Sequence, residues 1–427
     1  MALEKANLDN GLTLYVDRVP GSMDNNVTMF VPYGSVNEEV GEEGVAHVFE
    51  HCVHLETDEF KDRKDLRRYT QVNGMATNAN TFYTRTQYYA HGLELEPNIN
   101  YLSQILQNTH FPEEAVEHEM LSVRREARTR LDNPGLLHGV SAQNAMFGHP
   151  YGRDAVGYHD KLDFEAETLK RLHERYYKLG NMALVVTGAA KFDEVAKLAE
   201  RYFVADEEEY VDTRGELHQT FGEHLRTGYA LENANNVQVT VAYPMTPEFF
   251  EKYTQNSLAY NVASRAMAGA AFQALRYDRG ISYDGSVGFS TANHPNAWSI
   301  DGDVRTDAEN VASAEEVFQE IFSRGSSKYS DDEIDGTLAM YRYGLLQTTS
   351  TAGGRSAMHL GRLEAYRDPV DAAGLKRQLK KLTPADVRAT IDDIVEHAQN
   401  TPRYTHLTGT RKDIGEVERV VEQSEII

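Results

Sequence analysis

The sequence predicts an α+β fold built from two halves of similar plan. The first observation is an internal echo: an apolar strand signal that ends at Gly188 recurs at Gly409, 221 residues later (409 minus 188). A helical pattern precedes both signals, at residues 162–177 for the first and after the cap signal Thr383–Pro384 for the second. The second observation is that strand patterns open each half. Together they favour two α+β domains.

Length and strand signals define the domain prediction. With 427 residues, of which 41% are hydrophobic and 26% charged, the chain is long enough for roughly two to four domains and has the composition of a globular enzyme. The clearest strand signals lie at residues 12–16, 27–31 and 237–243. We predict a first domain at residues 1–205, an acidic linker at residues 206–228 and a second domain at residues 229–427.

A short helix is predicted after the turn between Gly41 and Gly44. Its H-x-x-E-H segment contains His47, Glu50 and His51. At about 100° per residue, His51 lies about 40° from His47 and Glu50 about 60° on its other side, so all three side chains can enter one cleft. The rest of this helix is apolar, through Val45, Ala46, Val48, Phe49, Cys52 and Val53. Such a set suits a zinc site, although histidines at this spacing also occur as core or surface residues.

A third metal ligand is expected on the next long helix, predicted over residues 111–134. Glu119 and Glu126 alternate there with Val116 and Val123, which sets two carboxylates into an otherwise apolar stripe. Burying carboxylates is costly without compensation, and a metal ligand with its hydrogen-bonding partner explains both. The alternative is a solvated face beside the basic residues Arg124, Arg125, Arg128 and Arg130.

These residues resemble the pitrilysin/insulinase family of metallopeptidases, the inverzincins, in the short form typified by mitochondrial processing peptidase and its bacterial relatives. Glu126 lies 75 residues after His51 (126 minus 51), the interval at which this family places its third zinc ligand. Glu119 matches a further glutamate of the family. The resemblance continues in other segments, at residues 8–12, 34–38, 74–88, 149–157 and 181–188.

The resemblance implies a fold and a chemistry. It implies that each half is a mainly antiparallel sheet with helices packed on one face. It also implies a zinc endopeptidase that hydrolyses peptides or unfolded segments inside an enclosed chamber. His47, His51 and Glu126 would bind Zn²⁺, and Glu50 would be the base that activates water. Glu119 would assist from its hydrogen bond to a ligand.

Substrate contacts are also implied by the resemblance. Asn78 and Ala79 lie in a strand that resembles the family's substrate edge, where a peptide backbone adds as a further strand. Arg276 and Tyr283 match the residues that hold substrate and stabilise the polarised carbonyl. Tyr277 departs from the pattern, because the family usually has an acidic residue after the arginine. Without the resemblance, Arg276 and Tyr283 would be interpreted as ordinary helix and strand residues.

The charge of the chain excludes some partners. A formal net charge of −23 argues against binding to nucleic acid and is compatible with cationic peptides. No apolar run has membrane-spanning length, so no membrane association is predicted. The first residues, 1–5, lack a basic region followed by an apolar core, so a cytoplasmic location is expected. The single cysteine, Cys52, rules out an internal disulfide framework.

Assembly and rival functions complete the prediction. Short family members contain half of what is needed to enclose a substrate, and this chain has both the zinc set and Arg276 with Tyr283. A homodimer is therefore expected, with a heterodimer formed with a related chain as the alternative.

Two other functions compete with a zinc endopeptidase. The main rival is a non-catalytic partner or scaffold subunit of a processing-peptidase-like complex, and a metal hydrolase of non-peptide substrates is a third hypothesis. Degradation and maturation of a precursor or leader peptide both remain open.

Overall fold

A computed structural model of the chain describes most of its residues. The described ranges are 3–205, 224–291, 297–364 and 368–427. Most of the predicted acidic linker, residues 206–223, lies outside them. In the described ranges, no helix combines the length and the apolar character that crossing a bilayer requires.

The secondary structure is mixed throughout the described residues. The strands are β1 (Glu4–Asn7), β2 (Thr13–Arg18), β3 (Asn25–Val31), β4 (Glu56–Thr57), β5 (Ala76–Thr81), β6 (Thr86–Gly92), β7 (Thr109–His110), β8 (Ala183–Gly188), β9 (Leu225–Leu231), β10 (Val237–Pro244), β11 (Ser286–Thr291), β12 (Trp298–Thr306), β13 (Tyr404–Thr410) and β14 (Arg419–Val420). The α-helices are α1 (Val45–Cys52), α2 (Arg63–Val72), α3 (Leu95–Gln107), α4 (Glu113–Arg130), α5 (Pro134–Phe147), α6 (Ala166–Tyr176), α7 (Phe192–Tyr202), α8 (Pro247–Gln255), α9 (Ser257–Phe272), α10 (Val311–Ser323), α11 (Asp331–Thr348), α12 (Ala352–Glu364), α13 (Ala372–Lys381), α14 (Pro384–Asn400) and α15 (Gln423–Ile426).

The long helix predicted up to residue 134 ends slightly earlier than expected. Helix α4 ends at Arg130, and Pro134 begins α5 as a first-turn proline. The side chain of Asn133 caps α5 by accepting a hydrogen bond from the backbone N–H of Leu136 at 3.1 Å. The residues that stop one helix therefore also start the next.

The two halves share a sheet plan over five of their six strands, and this confirms the predicted α+β fold. The first sheet has the order β1-β2-β8-β3-β6-β5 and the second the order β14-β9-β13-β10-β12-β11. The strand with the repeated apolar signal lies between two others in each sheet. In the first sheet β8 is parallel to β2 and antiparallel to β3, and in the second β13 is parallel to β9 and antiparallel to β10. The remaining pairings are antiparallel except that of β14 with β9.

The chain forms two compact units that exchange segments. The first contains the described residues of Met1–Thr129, Ala155–Glu216 and Leu346–Lys376, and the second those of Arg130–Asp154, Leu217–Leu345 and Arg377–Ile427. The contiguous domains predicted at residues 1–205 and 229–427 do not include this exchange. Each exchanged segment contains one complete helix, α5 or α12, and that helix covers a sheet face that would otherwise lie open.

In the first unit, helices cover both faces of the sheet. Strand side chains alternate between faces, so β2 sends Leu14 to one face and Tyr15 to the other. Leu14 joins the main core with residues of α1, α3 and α7. Tyr15 joins a smaller cluster in which Leu360 and Leu363 of α12 pack on the sheet. Helix α12 thus adds a second helical layer to the layer that the resemblance implied.

The second unit repeats this arrangement with α5. Gly302 of β12 lies so close to Phe318 of α10 that a side chain at this position would collide with the ring. The next residue, Asp303, points to the opposite face and lies 3.2 Å from Nε2 of His138 on α5. Helices α5 and α10 therefore cover opposite faces of the second sheet.

Candidate metal centre and active site

The helix α1, which holds the H-x-x-E-H segment, is fixed at its start by a glutamate. Gly41 and Gly44 adopt positive φ angles of 92° and 101°, which glycine tolerates best. The Glu38 carboxylate then accepts hydrogen bonds from the backbone N–H groups of Gly44 at 2.9 Å and Ala46 at 2.8 Å. A carboxylate at this end satisfies unpaired N–H groups and complements the helix dipole.

Three side chains converge on one point between α1 and α4. Ligand atoms of His47, His51 and Glu126 all lie within 4.8 Å of one another. Nε2 of His47 is 3.6 Å from one Glu126 oxygen, and Nε2 of His51 is 3.4 Å from the other. Two imidazole nitrogens and a carboxylate oxygen are the donor set of many catalytic zinc sites. Cys52 is not part of this set, and burial raises the pKa of its thiol to about 12.

Glu119 connects one of these histidines to a charged neighbour. Nδ1 of His51 lies 2.8 Å from Glu119 Oε1, and the Arg63 guanidinium donates to Glu119 Oε2 at 2.7 Å. Burial acts to lower the pKa of His51, yet the hydrogen bonds to Glu119 and Glu126 raise it to about 9. Burial acts to raise the pKa of Glu119, but the contacts with His51 and Arg63 lower it below its ordinary value. The carboxylates therefore favour positive charge at the His51 ring.

Glu50 lies on the same helix in a different environment. The Thr81 hydroxyl of β5 donates a hydrogen bond to Glu50 Oε2 at 2.7 Å. Burial raises the pKa of Glu50, although this hydrogen bond works in the opposite direction. A carboxylate whose pKa is raised is a better proton acceptor near neutral pH.

The predicted substrate residues Asn78 and Ala79 lie on β5, at the edge of the first sheet. Among the described strands, β5 pairs with β6 alone, so its other edge faces no strand. Asn78 is exposed and Ala79 is buried, as alternation along a strand requires. Thr81 belongs to the same strand, so this edge runs beside Glu50.

The other two predicted residues, Arg276 and Tyr283, lie in the second unit and contact each other. Arg276 belongs to a π-helical turn, Gln273–Asp278, a conformation that often marks functional sites. Its guanidinium lies 4.2 Å from the ring centroid of Tyr283, whose side chain is 77% exposed. The rings of Phe272 and Tyr277 lie slightly farther from it, at 5.4 and 5.5 Å. Tyr277, which stands where the family usually has an acidic residue, therefore contributes a ring to an aromatic cluster around this arginine.

Two contributions to the site were not predicted from the sequence. Thr81 has no signal of its own within the family-like segment 74–88, and no sequence motif marks Arg63 as part of the site. Arg63 lies 56 residues from Glu119 in sequence and belongs to a separate helix, α2. The sequence near Arg63 indicates only where α2 begins, because Asp62 is a helix-capping residue.

Comparisons with known proteins identify a peptidase family. The model of the family described as Insulinase (Peptidase family M16) matches residues 18–154, and the one described as Peptidase M16 inactive domain matches residues 163–341. A Rickettsia bellii protein named as an uncharacterized zinc protease is 25% identical over 285 residues, which cover 65% of this chain and 68% of the relative. A Schizosaccharomyces pombe protein, named "Probable mitochondrial-processing peptidase subunit beta", is 30% identical over 205 residues, covering 47% and 44%.

The fold agrees with a solved structure as well. The crystal structure of a protease from Helicobacter pylori superposes with a TM-score of 0.79 and 17% identity, covering 95% of this chain and 99% of that one. At this identity the likeness shows a shared fold and nothing about the reaction.

Proposed function

The chain belongs to the insulinase family of peptidases, family M16, and from this premise we propose that it is a zinc-dependent endopeptidase. The observation that carries the proposal is the convergence of His47, His51 and Glu126 beside Glu50. The match described as an inactive domain begins at residue 163, after all four of these residues. It therefore does not argue against catalysis by the first unit.

The protein's own residues supply the proton transfers. Zinc held by the three ligands would act as a Lewis acid toward a water molecule and the scissile carbonyl. Glu50 accepts a proton from the attacking water and returns it to the leaving amine. Thr81 holds the carboxylate of Glu50 in place for both transfers. Glu119 accepts from Nδ1 of His51, which leaves Nε2 of that ring available as a ligand.

A peptide substrate is proposed to add to β5. Backbone pairing with an open edge gives affinity with little demand on sequence, and Asn78 and Ala79 are the central residues of that edge. Because Thr81 on β5 binds Glu50, a peptide paired with this strand would pass the base. We propose Arg276 and Tyr283 as donors to the substrate or to its developing oxyanion.

The setting of the reaction is a further part of the proposal. We propose that a second copy of the chain encloses the substrate, that the location is cytoplasmic and that cationic or precursor peptides are among the substrates. The family resemblance supports the enclosure. The net charge of −23 supports the preference for cationic peptides, because opposite charges attract.

One experiment separates this proposal from its rivals. Purified protein is analysed for metal and incubated with a library of quenched fluorescent peptides, before and after chelation. We expect about one zinc per chain, and peptide hydrolysis that chelation removes and added zinc restores. A zinc-loaded protein that cleaves no peptide, alone or with a related chain, would overturn the proposal. That result would favour a scaffold subunit or a hydrolase of other substrates.

A further inference from the structure

Arg63 makes contacts that join the two helices of the metal centre. It is the first residue of α2, whose start is fixed because Asp62 accepts hydrogen bonds from two backbone N–H groups. One guanidinium nitrogen donates to Glu119 Oε2 on α4 at 2.7 Å. A second guanidinium nitrogen donates to the backbone carbonyl of His51 on α1 at 2.9 Å. A single side chain thus binds both helices that supply the ligands.

The geometry at Glu119 makes these contacts consequential. Its side chain is only 6% exposed, and its two oxygens are divided between His51 and Arg63. A buried carboxylate with two partners of this kind is held in one orientation. Glu119 Oε1 accepts the hydrogen bond from Nδ1 of His51, so the orientation of the carboxylate fixes the orientation and the tautomer of the ring. Arg63 also holds the backbone of that same histidine.

We propose that Arg63 is a positioning residue that sets the affinity of the centre for zinc. It acts mainly through Glu119, which orients the His51 ring, while its hydrogen bond to the His51 carbonyl is a lesser contact at the end of α1. The proposal rests on the proposed function only in requiring that the centre binds zinc. Partners that orient a metal ligand typically change metal affinity by about ten- to a hundredfold.

The test compares Arg63→Ala and Arg63→Lys with the control Arg67→Ala, an exposed arginine one turn along α2. Zinc affinity is measured by competition with a chelator, and the melting temperature is measured on the metal-free forms. We expect Arg63→Ala to weaken zinc binding by about ten- to a hundredfold. Arg63→Lys recovers part of it, because an ammonium lacks the fork that reaches two acceptors. The control stays within about twofold of wild type.

A double variant identifies the route of the effect. If Arg63 acts mainly through Glu119, Arg63→Ala should weaken zinc binding much less in a Glu119→Gln background than in the wild type. Full additivity, or zinc affinity of Arg63→Ala within about twofold of wild type, overturns the proposal. A lowered melting temperature without an affinity change indicates a structural role only and also overturns it. Wild-type protein that binds no zinc would instead defeat the proposed function.

Discussion

At the level of single residues, environment gives two glutamates of the site different properties. Burial raises the pKa of Glu50, which has the Thr81 hydroxyl as its hydrogen-bond donor. Glu119 is also buried, yet its contacts with His51 and Arg63 lower its pKa. A carboxyl with a raised pKa suits proton transfer, whereas one kept ionised suits the orientation of a positive or donating partner.

The variant Glu50→Gln tests the first of these assignments. An amide preserves the shape of the side chain but accepts no proton, so zinc content and fold should be unchanged while peptide hydrolysis is abolished. Bound zinc and turnover are measured on the same preparation. The matched control is Glu126→Ala, which should lose zinc as well as activity because it removes a ligand. Substantial turnover by zinc-loaded Glu50→Gln would show that another group is the base.

The sequence predicts some of these residues and not others for a physical reason. His47, Glu50 and His51 share a short helix, so the helical period alone brings them together. Glu126 stands out because a carboxylate in an apolar stripe needs compensation. Arg63 has no comparable local signal, since its partner Glu119 is on another helix and only the tertiary fold brings them together.

At the level of elements, the π-helical turn places Arg276 against the exposed ring of Tyr283. If both donate to the substrate or its tetrahedral intermediate, Arg276→Ala and Tyr283→Phe should each lower kcat/KM by about a hundredfold with zinc content unchanged. The double variant should lose less than the product of the two effects, because the groups act on one transition state. Steady-state kinetics, zinc analysis and melting temperatures are compared. Near-wild-type kcat/KM in the double variant would restrict the chemistry to the first unit.

Helix α12 is attached to the first sheet by a buried charge cluster. Arg355 and His359 both bind the Asp17 carboxylate of β2, His359 at 2.7 Å. Asp17 lies 338 residues before Arg355, so no local pattern could have predicted which sheet α12 covers. The strands themselves are predictable because their apolar patterns are local. The position of a helix on a sheet depends on contacts between distant segments.

Removing the Asp17 charge should destabilise the first unit. Asp17→Asn leaves a buried guanidinium without its carboxylate, which typically costs about 3–5 kcal/mol. Burial opposes ionisation, but His359 and Arg355 lower the pKa of Asp17 below its ordinary value of 3.8. Its contribution to stability is therefore fully present above about pH 3.8 and is lost as the pH falls through the lower folded pKa.

Urea unfolding of wild type and Asp17→Asn at pH 7 and near pH 3 measures both effects. The difference in free energy of unfolding should be large at pH 7 and smaller in acid. Asp9→Asn, at an exposed aspartate, is the control and should change little at either pH. Equal stability of Asp17→Asn and wild type at pH 7 would contradict the assignment of this cluster as the attachment of α12.

At the scale of the whole molecule, the two sheets share the order of five strands, β2-β8-β3-β6-β5 in one and β9-β13-β10-β12-β11 in the other. The apolar signal that β8 and β13 have in common made that repeat predictable. Only the first half contains the H-x-x-E-H segment, and the candidate metal-binding set found among the described residues lies there. The exchange of α5 and α12 was not predictable, because the contacts that place each helix on its sheet, such as His138 with Thr408 and Arg355 with Asp17, join residues far apart in sequence. Assembly is a separate question, because the candidate metal ligands lie in the first unit and Arg276 lies in the second.

A homodimer whose sites combine both chains is testable by complementation. Light scattering on active protein should give twice the mass of one chain. Glu50→Gln and Arg276→Ala are then mixed under conditions that allow exchange of chains. If Arg276 serves the metal centre of its partner, each mixed dimer contains one intact site, and activity should recover to about a quarter of wild type. If Arg276 serves its own chain, the mixture gives only the sum of the two variants. A fully active monomer would remove the need for a second copy, whereas activity that requires a related chain would indicate a heterodimer.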